Sequence, residues 1–186
     1  MARVRTLTLG AVTAAVMMLG AGTAGATLFE QGRYEDEPFS FSYDDCGFDV
    51  DVEGISSGHY RIRQGKGKTA TAFFAHDNYE FRETHTNPDT GAFFTLTGNV
   101  NFTETKATRV EGTIFEFHAV EAAQFRFYDS AGRLVARERG NVRLRALFDT
   151  EGDAVPGGIL IEEFPPEVHG PHVDDFCGLI TPLIGS

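Results

Sequence analysis

The densest set of metal-type donors in the chain is His169-Gly170-Pro171-His172-Val173-Asp174-Asp175, with two imidazoles and two carboxylates in seven positions. Zinc or copper accepts such ligands. Gly170 and Pro171 prevent the helix that would align the histidines, and no further cluster completes the set. His169, His172 and Asp174 are therefore read as parts of a turn-capping loop, and no metal or other cofactor is expected. Asp49, Asp51, Glu53 and Gly54 open like a calcium loop, but its twelfth position is Tyr60 where a bidentate glutamate is needed. Carboxylates alternating along a strand form a solvated face.

Two further motifs fail on their surroundings. Gly54-Ile55-Ser56-Ser57-Gly58 has the spacing of a hydrolase nucleophile elbow, which requires a strand before the serine and a helix after it. The next residues, His59 to Arg63, alternate like a strand, so the stretch reads as a plain hairpin turn. Gly67-Lys68-Thr69 resembles the end of a phosphate-binding loop, but the glycine required five positions earlier is Ile62.

Two sets of residues carry the case for a ligand. Arg133, Arg137, Arg139, Arg143 and Arg145 crowd thirteen positions of an acidic chain. Guanidinium groups on adjacent strands bind carboxylate or sulfate bidentately, with Arg143 and Arg145 the candidates here. The plainer alternative pairs these arginines with neighbours such as Glu138 and with the acidic N-terminal region. Phe94, Phe102, Phe115, Phe117, Phe125 and Phe127 are the second set. They line either a small-molecule pocket or a filled core, because an eight-stranded barrel interior is just wide enough for one of the two.

The elements that must position these residues are strands. Phe39, Phe41 and Tyr43 alternate with Ser40 and Ser42, and Phe48, Val50 and Val52 with Asp49 and Asp51. Further alternating runs cover 59–64, 69–76, 79–86, 92–105 and 108–120, separated by turn residues every eight to twelve positions. Phe94, Leu96, Val100 and Phe102 share one face with Gly98, which is read as a bend or bulge. Asp129-Ser130-Ala131-Gly132 suits a type I turn followed by a left-handed residue, and Asp149 to Gly152 repeats the pattern. Gly140 and Asn141 bend or split the region between them. From about 153 the pattern fades into an irregular Pro/Gly-rich tail. The expected fold is all-β, an antiparallel up-and-down β-barrel of about eight strands closed by one disulfide, with a two-sheet β-sandwich as the alternative.

Residues 1–26 read as a secretory signal: Arg3 and Arg5 precede an apolar run from Leu7 to Ala21 and a small-residue site at Ala24-Gly25-Ala26. A single domain, 27–186, is expected after it, secreted and without a stable membrane anchor. In an oxidising compartment Cys46 and Cys177 read as a disulfide tying the start of the fold to its end. Without Arg3 and Arg5 the chain keeps 14 basic against 27 acidic residues, a formal charge of −13. Nucleic acid and anionic membrane surfaces are excluded as partners, since both demand a basic face.

Thr86-Asn87-Pro88-Asp89-Thr90-Gly91, with Asp45-Cys46-Gly47-Phe48 and Phe176-Cys177, resembles small secreted proteins of actinobacteria that are largely uncharacterised. The Asp-x-x-Gly hairpin and the Arg-rich strand after it are similar in layout to the allene oxide cyclase and dirigent-like barrels. These resemblances imply a secreted barrel and carry no catalytic residue across. The functional expectation is a non-catalytic barrel that binds a small apolar or amphipathic molecule or acts as an extracellular interaction module. Its rivals are an extracellular lyase or isomerase working inside the barrel, using His59, His118 or the arginines, and a purely structural surface protein.

Overall fold

A computed structural model of the chain describes residues 28–153 and 155–185. The segment read as a signal, 1–26, lies outside them. Six long strands follow one another: β1 (Leu28–Tyr43), β2 (Val50–Gln64), β3 (Phe73–Thr86), β4 (Phe93–Glu111), β5 (Ile114–Tyr128) and β6 (Leu134–Asp149). Each is antiparallel to the next, as the local turns require. β7 (Ile159–Glu163) and β8 (Glu167–His169) both pair with β6. Together they make one edge ribbon interrupted at Pro165 and Pro166, which lack the amide a continuous ladder needs. The result is one all-β, eight-stranded antiparallel sheet in which β1 pairs only with β2, so hydrogen bonds do not close it. No helix among the described residues is long and apolar enough to cross a membrane.

One face of the sheet carries the core. Register places Leu96, Gly98, Val100 and Phe102 of β4 opposite Phe127, Phe125, Ala123 and Glu121 of β5 on that face, with Phe94 next in line opposite His85 of β3. At one end of the face Val50, Val52, Phe94 and Phe127 pack under α1 (Phe176–Ile184), which contributes Ile180 and Ile184. In the middle Phe81, Val100 and Ala123 form a second cluster, and at the far end Phe115 and Phe117 close on Ala72. Burying a phenylalanine of this kind is worth roughly 1.5–3 kcal/mol. The Cys46–Cys177 disulfide, Cα–Cα 5.2 Å, ties α1 to the β1–β2 connection, as expected from the sequence.

Several stretches read as turns are strand interiors instead. Gly54 to Gly58 lies in the middle of β2 and is not a hairpin turn. Gly98 sits in an unbroken register and marks no bulge. Each of these glycines faces an aromatic side chain directly across the ladder: Phe39 opposes Gly54, Tyr34 opposes Gly58, and Phe81 and Phe125 flank Gly98. Rings lie over Gly54 and Gly98, and the Tyr34 hydroxyl, Tyr79 and the Asn78 carbonyl crowd Gly58, so that a Cβ at any of the three positions would collide. The empty glycine side is thus filled from the neighbouring strand. Likewise β6 runs unbroken through Gly140, whose missing Cβ admits the backbone of His169 and Gly170.

The real irregularities fall elsewhere. A bulge between Tyr34 and Glu37 puts Asp36 at φ 49°, with its amide donating to Ser57 Oγ. Another lies between Glu104 and Lys106. The Asp129–Gly132 hairpin is as read, with Gly132 left-handed at φ 76°. The tail beyond 153 is not irregular throughout, since it holds β7, β8 and α1. Asp175 caps α1 by accepting the Gly178 amide.

Candidate functional site: a basic groove on the polar face

On the opposite face of the sheet β2 presents His59, Arg61 and Arg63 at every second position. Cross-strand partners add Asn78 opposite His59, His76 opposite Arg61 and Phe74 opposite Arg63. β4 supplies Asn101 and Thr103 behind Asn78 and His76. Beyond His76 and Thr103 the ladder between β3 and β4 ends and the strands part. There an open groove of about 480 Å³ forms, lined by Arg61, Arg63, Lys66, Thr69, Phe74, His76, Thr103, Glu104 and Thr105 among others. The short 3-10 turn Gly67–Thr69 forms its rim, which is where the Gly-Lys-Thr motif falls.

The groove gathers three cations of an acidic chain in one concavity. Arg61, Arg63 and Lys66 form no ion pair among the described residues. His76 is oriented by Thr103, whose Oγ1 lies 2.8 Å from Nδ1, and Thr103 in turn donates to Asn101 Oδ1 at 3.4 Å. The one carboxylate of the lining, Glu104, accepts the Ala75 amide where the ladder has opened. Burial pushes its carboxyl up to about 7, against a smaller opposing effect of that hydrogen bond. Guanidinium and ammonium donors, hydroxyls and an aromatic side make a site for an anionic group attached to a partly apolar body.

A smaller groove of about 250 Å³ adjoins it on the same face, lined by Arg33, Glu35, Ser57, His59, Asn78, Glu80 and Asn99 among others. The His59 and His76 rings, 6.4 Å apart, stand between the two grooves.

The sequence-derived candidates are dispersed. Phe94 and Phe115 are completely buried, Phe117 and Phe127 nearly so, and Phe102 and Phe125 half-buried. All but Phe102 belong to clusters of the core face, spread over three of them, and none of the six lines either groove. Arg143 and Arg145 are on the other face, since Phe117 opposes Ala146 while His118 opposes Arg145. Both are paired, Arg145 with Glu116 at 2.8 Å and Arg143 with Glu167 at 3.8 Å. Arg133 pairs with Asp129, so these partners are neighbours in the sheet or turn and not Glu138, which caps the Val173 amide.

His118 does approach a carboxylate, Glu116, at 2.9 Å, but the pair sits on the polar face and shares Glu116 with Arg145. His169 and His172 turn to different carboxylates, Glu167 and Asp174. No group of three or more metal-type ligands gathers among the described residues.

Sequence reasoning missed one polar chain altogether. Tyr43 Oη lies 3.2 Å from His85 Nδ1, and His85 Nε2 lies 2.9 Å from Glu83 Oε2. A phenol, imidazole and carboxylate in series have the makings of proton-transfer machinery. However, His85 is only 4% exposed, stacked on Phe94 at 4.4 Å within the α1 end of the core, which leaves substrate no approach. Comparison with family models, with curated proteins and with solved structures finds no match for this chain.

Proposed function

We propose that this chain is a secreted, non-catalytic binding module that holds a small anionic ligand in the Arg61–Arg63–Lys66 groove. The observation that carries the reading is the convergence of three cations, without carboxylate partners among the described residues, on one concavity of a chain whose formal charge is −11. An unpaired cationic cluster in an acidic protein repels nothing it needs and attracts what the rest of the surface rejects. Burial of the phenylalanines favours an external, polar site over an apolar pocket. The leader-like segment 1–26 and the disulfide support secretion.

Calorimetric titration of the full secreted product with sodium sulfate and with citrate tests this. Binding is expected, weakening with added sodium chloride and at least tenfold in the Arg61→Ala/Arg63→Ala double variant, since a charge-assisted hydrogen bond contributes about 1.5–3 kcal/mol. Equal affinity in that variant would remove the groove as the site.

A second reading, an extracellular interaction module, rests on β7, where Ile159, Leu160 and Ile161 are exposed on an edge ribbon paired only with β6. A mass that rises with protein concentration would favour it.

A further inference from the structure

The two grooves are not independent. His59 and Arg61 sit two positions apart on one strand, as do His76 and Asn78 on the next, and each pair straddles the boundary between the grooves. From Arg63 to His59 the path covers four strand residues, roughly 13 Å at 3.3 Å per residue. Arg33, directly opposite His59 on β1, extends it across the sheet. Full cations therefore stand at both ends, Arg61 with Arg63 at one and Arg33 at the other. The middle offers imidazole and amide groups.

The chemistry of the lining changes along this path. The larger groove is cationic, with hydroxyl donors and the Phe74 ring. The smaller one mixes Arg33 with the carboxylates Glu35 and Glu80 and the amides Asn78 and Asn99. Carboxylates repel a densely charged polyphosphate but accept hydrogen bonds from hydroxyl groups. Alternating amide, carboxylate and isolated arginine is the complement of a chain rich in hydroxyls that carries an anion only at intervals. Phe74, whose ring packs 6.1 Å from that of Phe117 in the core, adds an apolar patch to the wall of the larger groove.

Resting on the anion-binding reading above, we infer that the two grooves form one continuous site for a linear acidic oligosaccharide. Its carboxylate or sulfate groups meet Arg61, Arg63 and Arg33, and its hydroxyls meet Asn78, Glu80 and Asn99. A single anionic sugar fills the larger groove alone, and units beyond it reach the smaller one.

Calorimetry of the full secreted product with a fixed set of probes separates the possibilities: sulfate, glucuronate, an oligogalacturonate tetrasaccharide, a heparin-derived tetrasaccharide, maltotetraose and an oligothymidylate tetramer. At least one acidic tetrasaccharide is expected to bind tenfold or more tighter than glucuronate, and the preferred one tells carboxylate from sulfate. Arg33→Ala/Asn78→Ala, two changes outside the larger groove, is expected to abolish that gain while leaving glucuronate and sulfate binding intact. Should sulfate and glucuronate bind but neither tetrasaccharide exceed them, the continuous site is overturned and the anion groove stands. If nothing anionic binds, both readings fall. Maltotetraose or oligothymidylate binding as tightly as the acidic tetrasaccharides overturns the assignment to an acidic glycan.

Discussion

The ring of Phe39 lies over Gly54, its directly opposed partner across the β1–β2 ladder, and occupies the space a side chain would take. At Gly58, four residues on, the hydroxyl of the opposed Tyr34 takes that space together with Tyr79 and the Asn78 carbonyl. A methyl group at position 54 has no collision with its own backbone conformation but meets the ring, which must leave its place. Overpacking of this sort costs roughly 1–3 kcal/mol. Gly54→Ala is expected to lower the urea midpoint with an unchanged m-value. Restoring the midpoint by adding Phe39→Ala would show that the ring, and not the glycine's flexibility, sets the requirement; failure to restore it would refute this account.

The same pairing explains what the sequence does and does not disclose. Two-residue periodicity fixes faces, and the shared face of Phe94, Leu96, Val100 and Phe102 is legible from one strand alone. Strand length is not. Gly54 to Gly58 has the composition of a turn because its missing side-chain volume is supplied by residues distant in sequence, Phe39 at Gly54 and Tyr34 with Tyr79 at Gly58. Helix α1 escapes detection because nine residues containing Gly178 and Pro182 hold too few turns for a periodic signal. Its one local mark is the Asp175 cap. The groove draws on β2, β3, β4 and the 66–69 turn, so no contiguous motif announces it. Its signal is Arg61 and Arg63 on the parity opposite Tyr60 and Ile62. The clustered arginines of β6 are more conspicuous, but Arg143 and Arg145 pair locally, as does Arg133 in the turn before them.

Cys46 and Cys177 join positions 131 residues apart, and the segment they anchor is the helix that covers one end of the core. Closing so long a loop in the unfolded chain corresponds to about 5 kcal/mol in the chain-entropy model, which native strain commonly reduces. The Cys46→Ser/Cys177→Ser variant is expected to lose several kcal/mol and to expose the α1 amides to hydrogen exchange before those of β4 and β5. Uniform exchange across the chain would mean that the helix docks without its tether.

His85 connects Tyr43 to Glu83 inside the core, and both of its ring nitrogens are in use. His85→Phe keeps the stack on Phe94 but leaves the Glu83 carboxylate without its imidazole in a mostly buried setting. Stranding such a group costs about 1–3 kcal/mol, more if it stays charged. The variant is expected to be destabilised, with sulfate binding at the distant groove unaltered. Loss of sulfate binding in a folded His85→Phe protein would contradict the separation of core and groove.

Glu104 links stability to the groove. Its carboxyl is raised from 4.5 to about 7 by burial, so between those values the unfolded chain has released a proton that the folded chain keeps. Stability therefore falls as pH rises through that window and settles at a lower plateau above 7. Glu104→Gln retains an oxygen to accept the Ala75 amide and never ionises. It is expected to match the wild type near pH 4 and to exceed it near pH 8 by up to about 3 kcal/mol. The same ionisation adds a negative charge to a lining that otherwise holds Arg61, Arg63, Lys66 and His76. Sulfate affinity of the wild type should accordingly drop between about pH 6 and 8 more steeply than that of Glu104→Gln. Thermal melts and titrations across this range check both halves: a pH-independent stability difference would show that Glu104 is not the group that titrates, and parallel affinity profiles would place its charge too far from the bound anion to matter.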